Sequence, residues 1–289
     1  MSKVIVCDDF QPDPLAQVAL GLPSGKAPRV VMLSDFLDSN GFAFDPETGQ
    51  MRRNAPAREG GAQQILDRVV EVSQKTVAEI DGAKDLLQRG QVYACYEAVL
   101  NERGLVGAER QYSTVGRLLP LPTQWRLVGQ AGLPVTTPRF LYGYGPMPVD
   151  TSTLERPTYK SPYDLYHWRA NRPEEEGEIW DQFVVESPEG APVLVWFLGD
   201  EYVVNALRKG EEQIAHDVSA TIVPLSRRIA ELFAANLGEV LWYVNGAEIM
   251  FAAFSHFLKG ASLTPEFSTR AVAFLEDYFD DEDREPALS

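Results

Sequence analysis

The side chains that most often carry catalysis are sparse in this chain and poorly spaced for it. His167, His216 and His256 are the only imidazoles in 289 residues, and none forms an HxxxH or HxH pair of the kind that holds a transition metal. Each reads more readily as structural or solvent-facing than as a metal ligand. There is no HExxH, no Walker loop to cradle phosphates and no GxSxG nucleophile elbow. Cys7 and Cys95 stand far apart without a CxxC, which supports neither a disulfide framework nor a cysteine zinc site. Asp8-Asp9 follows the first strand, and α/β folds bind ligands at the carboxyl ends of strands; an ordinary helix-capping turn accounts for the pair equally well. Phe140, Tyr142, Tyr144, Tyr159, Tyr163, Tyr166 and Trp168 crowd one Pro- and Gly-rich stretch. They either line a pocket or partner surface, or clamp down their own loop.

Composition narrows the partners. Acidic residues outnumber basic ones by 42 to 26, and the formal charge of −16 disfavours non-specific binding to nucleic acid or to an anionic membrane. A local basic pocket for a phosphate is compatible with that balance. At 45% apolar and 24% charged residues the chain is an ordinary globular one, long enough for two or three modest subdomains. The start MSKVIVCDDF lacks the apolar region of a signal peptide, and no run reaches the ~18 apolar residues of a membrane span, so a cytoplasmic location is expected.

The elements that must position any site are clearest between Glu178 and Phe257. Val193–Leu198 and Glu201–Leu207 form a hairpin over Gly199-Asp200, whose leading Gly suits a type II′ turn. Val240–Val244 and Ala247–Phe254 form a second over Asn245-Gly246. Between them Ile222, Leu225, Ile229, Leu232 and Phe233 recur at helical spacing, with Gly238 as the expected C-terminal cap. Upstream, Lys3–Cys7, a helix opened by Asp13-Pro14, and Arg29–Leu33 read as a parallel strand-helix-strand unit. Asp38–Gly61 reads as loop, and Ala62–Gly82 and Ala83–Gly104 as helical cover. Thr123 is placed to cap a helix holding Trp125, Leu127 and Val128, and Thr264–Phe279 reads as a last helix before an acidic tail.

Two stretches resemble a known family. QAGLPVTTP at Gln130–Pro138 resembles the hinge after the N-terminal domain of ATP-grasp enzymes, and DQFVVESPEGAPVLVWFLGDEYVVNAL resembles their "qEfv…G.diRvyvvgg.vvaa" segment. The pattern is most similar to the branch of peptide-modifying and glutathione-synthase-like ligases, and it covers about residues 115–260. The implied fold is α+β with an α/β N-terminal part, antiparallel hairpins packed with helices. Residues 1–114 would form the N-terminal domain with its helical cover, 115–275 the ATP-grasp-like domain, and 276–289 a disordered acidic tail.

Such ligases use ATP and Mg²⁺ to phosphorylate a carboxylate, and an amine then displaces the phosphate. The resemblance implies adenine against the backbone near Gln182-Phe183-Val184, a ribose carboxylate at Glu186 or Glu189, and a phosphate-contacting Lys160. Arg208 is the candidate catalytic cation and Glu248 the candidate metal ligand. A loop lysine at Lys160, a strand end at Gln182 and Glu186, and solvated side chains at Arg208 and Glu248 are the plain alternatives. The sequence departs from the pattern in two places. The family's Arg falls at Leu194, and its closing Glu and Asn fall around Ala252 and Phe254, near Glu248, Ser255 and His256. Two functions follow: a carboxylate–amine (peptide) ligase working through an acylphosphate, or a catalytically degenerate scaffold that binds a peptide, nucleotide or protein partner. The partners are then a small molecule, a peptide or a protein, with neither nucleic acid nor membrane.

Overall fold

A computed structural model describes residues 2–9, 13–23, 27–40, 42–45, 50–53, 63–69, 92, 96, 119–144, 150–160, 165, 181–256, 258 and 263–280. The chain divides into two compact units, Met1–Arg117 with Phe257–Ser289, and Leu118–His256.

In the first unit, β1 (Ser2–Cys7), β2 (Arg29–Met32) and β5 (Gln63–Arg68) make a parallel sheet in the order β2-β1-β5. The helix α1 (Pro14–Leu20) starts as expected, with the Asp13 carboxylate accepting from Leu15 N–H and Pro14 supplying a fixed φ. α2 (Leu33–Asn40) follows β2 directly, and β3 (Phe42–Asp45) pairs with β4 (Gln50–Arg53) as a hairpin. The stretch read as loop from Asp38 therefore holds the end of a helix and two strands. Residues 63–68 are also strand rather than helix. Ile65 and Leu66 are both buried, as in a strand covered on two faces, and their spacing with Val69 imitates a helical period. Val4, Val6, Val31, Phe36, Ile65 and Tyr96 share one core cluster. Val92 and Tyr96 are helical; the rest of the expected helix over 83–104 lies outside the described residues. α5 (Pro265–Asp280) packs on α1 and lies in this first unit, not with the second domain as read from sequence. It runs through 276–280, which the sequence reads as tail; 281–289 lie outside the described residues.

The second unit holds two antiparallel sheets. β6 (Phe140–Tyr144), β8 (Asp181–Glu186) and β7 (Pro157–Tyr159) pair in the order β6-β8-β7. β9 (Ala191–Leu198), β10 (Glu201–Ala206), β11 (Leu237–Asn245) and β12 (Glu248–Ser255) form a sheet ordered β10-β9-β11-β12. Gly199 has φ +61°, as a type II′ turn demands of its first central residue. The second turn is displaced by one residue. Asn245 pairs with Glu248, so Gly246-Ala247 are the central pair, and Gly246 alone takes positive φ, at +60°.

α3 (Leu121–Gln130) starts earlier than expected, over Pro120 and with Pro122 in its first turn, so Thr123 is inside the helix rather than its cap. α4 (Glu212–Leu232) starts ten residues before Ile222, the first residue of the expected periodicity, and runs through Pro224. It ends in a Schellman motif: Ala235 N–H donates to Ala230 O (2.9 Å) and Ala234 N–H to Glu231 O (3.0 Å), with Ala234 at φ +49°. Gly238, the expected cap, lies inside β11, where its missing Cβ leaves room for Ser255 O. Among the described residues no helix is long and apolar enough to cross a membrane.

Candidate functional site

α4 covers one face of the four-stranded sheet. Trp242 Nε1–H donates to Ser226 Oγ on that helix (2.9 Å), and Phe233 stacks on Phe254 and Phe251. Strand alternation therefore assigns Val193, Val195, Phe197, Val240 and Phe254 to the helix face, and Leu194, Trp196, Glu239, Leu241 and Tyr243 to the other. A bulge at Leu241/Trp242 makes Ala252 the extra residue of β12 and brings Ala253 and Ser255 onto that second face.

Leu194, where the family resemblance puts an Arg, and Glu248, the candidate metal ligand, both lie on the second face. The middle of this face is lined by Leu194, Trp196, Leu241 and Ala253, all at most 2% exposed, and the buried carboxylate there is Glu239, 1% exposed; Glu201 and Glu248 share the face but are exposed at opposite ends of their strands. Glu239 Oε2 accepts from Trp196 Nε1–H at 2.7 Å. Sequence reasoning missed Glu239, yet its signal is plain: a charged residue inside LGEVLWYV, a strand otherwise almost wholly apolar, must have a buried partner. Burial pushes the Tyr243 hydroxyl above its ordinary range, offset by the nearby positive charge of Arg208 and reinforced by Glu211.

Phe254, at one family metal position, points away from this face. Its ring is sandwiched by Phe233 (4.8 Å) and Phe197 (6.0 Å). Ala252, at the other, has its carbonyl bonded by Trp125 Nε1–H (2.8 Å). Magnesium wants several hard oxygen ligands in near-octahedral array. One buried carboxylate tied to an indole, a serine and aliphatic neighbours do not fit it, Glu201 and Glu248 stand at opposite ends of the face, and the described residues hold no group of three or more His, Cys, Asp or Glu able to bind a metal.

The remaining candidates are dispersed. Glu248 sits at the hairpin end of β12, exposed, 3.4 Å from Thr136 Oγ1, and roughly 20 Å along the strand from Glu239. Arg208 lies past the far end of β10, paired with Glu211 (3.6 Å), while Asp200 lies at the other end, paired with Arg227 (3.8 Å). Glu186 accepts from Glu155 N–H (2.9 Å) and Arg156 N–H (2.6 Å), and Glu189 pairs with Arg156, so both carboxylates hold the loop that precedes β7. Val184 is fully buried in β8, which is paired on both sides, so its backbone is committed to the ladder. Gln182 lies in the same strand. Lys160 directly follows β7; it is 8% exposed, and its N–H donates to Phe183 O (3.0 Å). Phe183 also joins Trp125, Phe140 and Tyr142 in an aromatic cluster that leaves Tyr142 exposed.

No family model matches the chain. No curated protein matches it in sequence either. Solved structures do match, over almost the full length of both chains. The macrocyclase MdnC from Microcystis aeruginosa MRC, bound with precursor peptide MdnA, superposes with a TM-score of 0.62 at 12% identity, covering 96% of this chain and 99% of that one. The ATP-grasp ligase PsnB, complexed with a minimal precursor, gives 0.56 at 16% identity over 95% and 99%. D-alanine–D-alanine ligase from Bacillus anthracis, complexed with ATP, gives 0.51 at 10% identity over 97% and 95%. At such identities the likeness speaks for architecture, and that architecture is shared from end to end: this protein has the ATP-grasp fold.

Proposed function

We propose that this chain is an ATP-grasp scaffold that binds a peptide without ligating it. One observation carries the reading: the middle of the sheet face that would hold metal and phosphate is filled by Leu194, Trp196, Leu241 and Ala253, and the acid buried among them is bonded to Trp196. Phosphoryl transfer needs cations around the transferring group and carboxylates to hold them. Those groups are dispersed along the strands or replaced by hydrocarbon. Peptide binding is favoured over other partners because MdnC and PsnB, of the same fold, are each found with a precursor peptide.

A second reading, an ATP- and Mg²⁺-dependent carboxylate–amine ligase, draws on Lys160. It is largely buried at the end of β7 beside β8, where the family resemblance puts a phosphate-binding lysine. The two readings part in one experiment. A panel of immobilised peptides is screened for binding with and without Mg–ATP, and ADP release is followed in parallel. Peptide affinity indifferent to Mg–ATP, with no ADP formed, is expected of the binding scaffold. Peptide-stimulated ADP release would overturn it and favour the ligase.

A further inference from the structure

The two edges of the four-stranded sheet are treated very differently. The β12 edge is closed along its length. Thr136 N–H donates to Ile249 O (3.1 Å) and Phe251 N–H to Thr136 O (2.8 Å). Further along, Trp125 Nε1–H donates to Ala252 O, and the Gln124 amide bonds both Phe254 N–H and Phe254 O.

The β10 edge has no such cover. Leu207 N–H donates to Pro192 O across the β9 ladder, which fixes the phase: Glu201, Val203 and Asn205 turn their backbone groups towards β9, and Tyr202, Val204 and Ala206 turn theirs outward. Those outward groups meet no partner among the described residues. From Tyr202 to Ala206 the strand also carries no charge, no proline and no bulge, the usual devices that blunt an exposed edge.

We infer that this edge pairs with the same edge of a second copy of the chain, joining two four-stranded sheets into one continuous sheet. The strand is self-complementary. A two-fold axis at Val204 sets Val204 against Val204 of the second copy and Tyr202 against Ala206. All three outward positions then pair, giving roughly six backbone hydrogen bonds. The same register sets Asp200, at the acidic end of the strand, against Arg208, at its basic end, and sets Gly199 against Lys209. The present partners, Arg227 for Asp200 and Glu211 for Arg208, are loose exposed pairs at 3.8 Å and 3.6 Å, cheap to exchange. α4 packs over β10 as well as over β9 and β11, with Arg227 on the Tyr202 ring, so the seam brings the two copies of α4 towards each other on the same face.

The test is sedimentation of the full chain from micromolar to sub-millimolar concentration. The wild type is expected to reach twice the 32.1 kDa chain mass. Val204→Pro deletes an outward N–H without touching the β9 ladder and should sediment as a monomer with unchanged circular dichroism. Should that variant fail to fold, a surface charge cycle decides. Arg208→Asp and Asp200→Arg alone should each weaken dimerisation by roughly tenfold, since each spoils two symmetry-related pairs, and the double swap should restore it. A wild type monomeric throughout, a dimer untouched by Val204→Pro, or a swap that fails to restore association would each overturn the inference. An extended peptide that binds to the monomer through this edge would also do so, by naming a different occupant.

Discussion

Gln124→Ala removes one side chain and strands two backbone groups at the closed edge of the larger sheet. In the native fold Phe254 N–H donates to Gln124 Oε1 at 2.8 Å, and Gln124 Nε2 donates to Phe254 O at 3.0 Å and to Leu119 O at 2.8 Å. Gln124 is 1% exposed and Phe254 3%, so water does not take the place of the lost amide. A buried polar group left without a partner costs about 1–3 kcal/mol, and two of them give about 2–6 kcal/mol. That is a large share of the roughly 5–15 kcal/mol that holds a typical domain together. Urea unfolding followed by far-UV circular dichroism measures it, with Thr123→Ala as the neighbouring control, expected within about 0.5 kcal/mol of wild type. Gln124→Glu sharpens the test: a carboxylate still accepts from Phe254 N–H but opposes both carbonyls, so it should destabilise at least as much above its pKa. A Gln124→Ala protein within about 0.5 kcal/mol of wild type would refute the claim that this amide closes the edge.

Three further outcomes are expected. Trp196→Phe removes the 2.7 Å indole bond to the buried Glu239 and should cost about 1.5–3 kcal/mol; a double-mutant cycle with Glu239→Gln should show strong coupling, and additive losses would contradict the pairing. Ala234→Gly should stabilise by up to about 1 kcal/mol in thermal unfolding, because φ +49° strains any residue with a Cβ by roughly 1–2 kcal/mol and glycine returns part of that as chain entropy. Burial, with Asp13 next in weight, pushes the Cys7 thiol up to about 12. In a Cys95→Ser background it should resist alkylation at pH 8 until urea is added, and rapid labelling of folded protein would contradict its burial. The stability from keeping this thiol neutral is complete below the unfolded pKa near 9 and is lost as pH climbs towards 12.

The parts of the fold most legible in the sequence are those where one physical signal acts alone. Asp13-Pro14 marks a helix start whatever surrounds it, and Gly199-Asp200 turns a hairpin because the leading glycine takes positive φ. Errors fell where two signals compete. Asn245-Gly246 looks like the turn, but pairing of Asn245 with Glu248 moves it on by one residue. The periodicity from Ile222 marks only the second half of α4, because burial of Ala215 and Ile222 on one face carries the helix back to Glu212, through Pro224. Ile65 and Val69 look helical, but parallel pairing with β1 makes strand of Gln63–Arg68.

For the site, the replacement of expected polar positions by Leu194, Ala252 and Phe254 was readable from the sequence. What those residues do instead was not, because it depends on face and register. A bulge sets Ala252 aside, Phe254 turns towards α4, and Glu239 meets Trp196 only when β9 and β11 are laid side by side.

Thermal unfolding with ATP, with and without Mg²⁺, bears most directly on whether this scaffold has kept a working nucleotide site. A ligand at ~100 times its dissociation constant stabilises by about 2.7 kcal/mol, several degrees for a chain of this size. The account predicts no magnesium-dependent shift at millimolar ATP. A shift of several degrees that requires Mg²⁺ and disappears in Lys160→Ala would contradict it and restore the ligase.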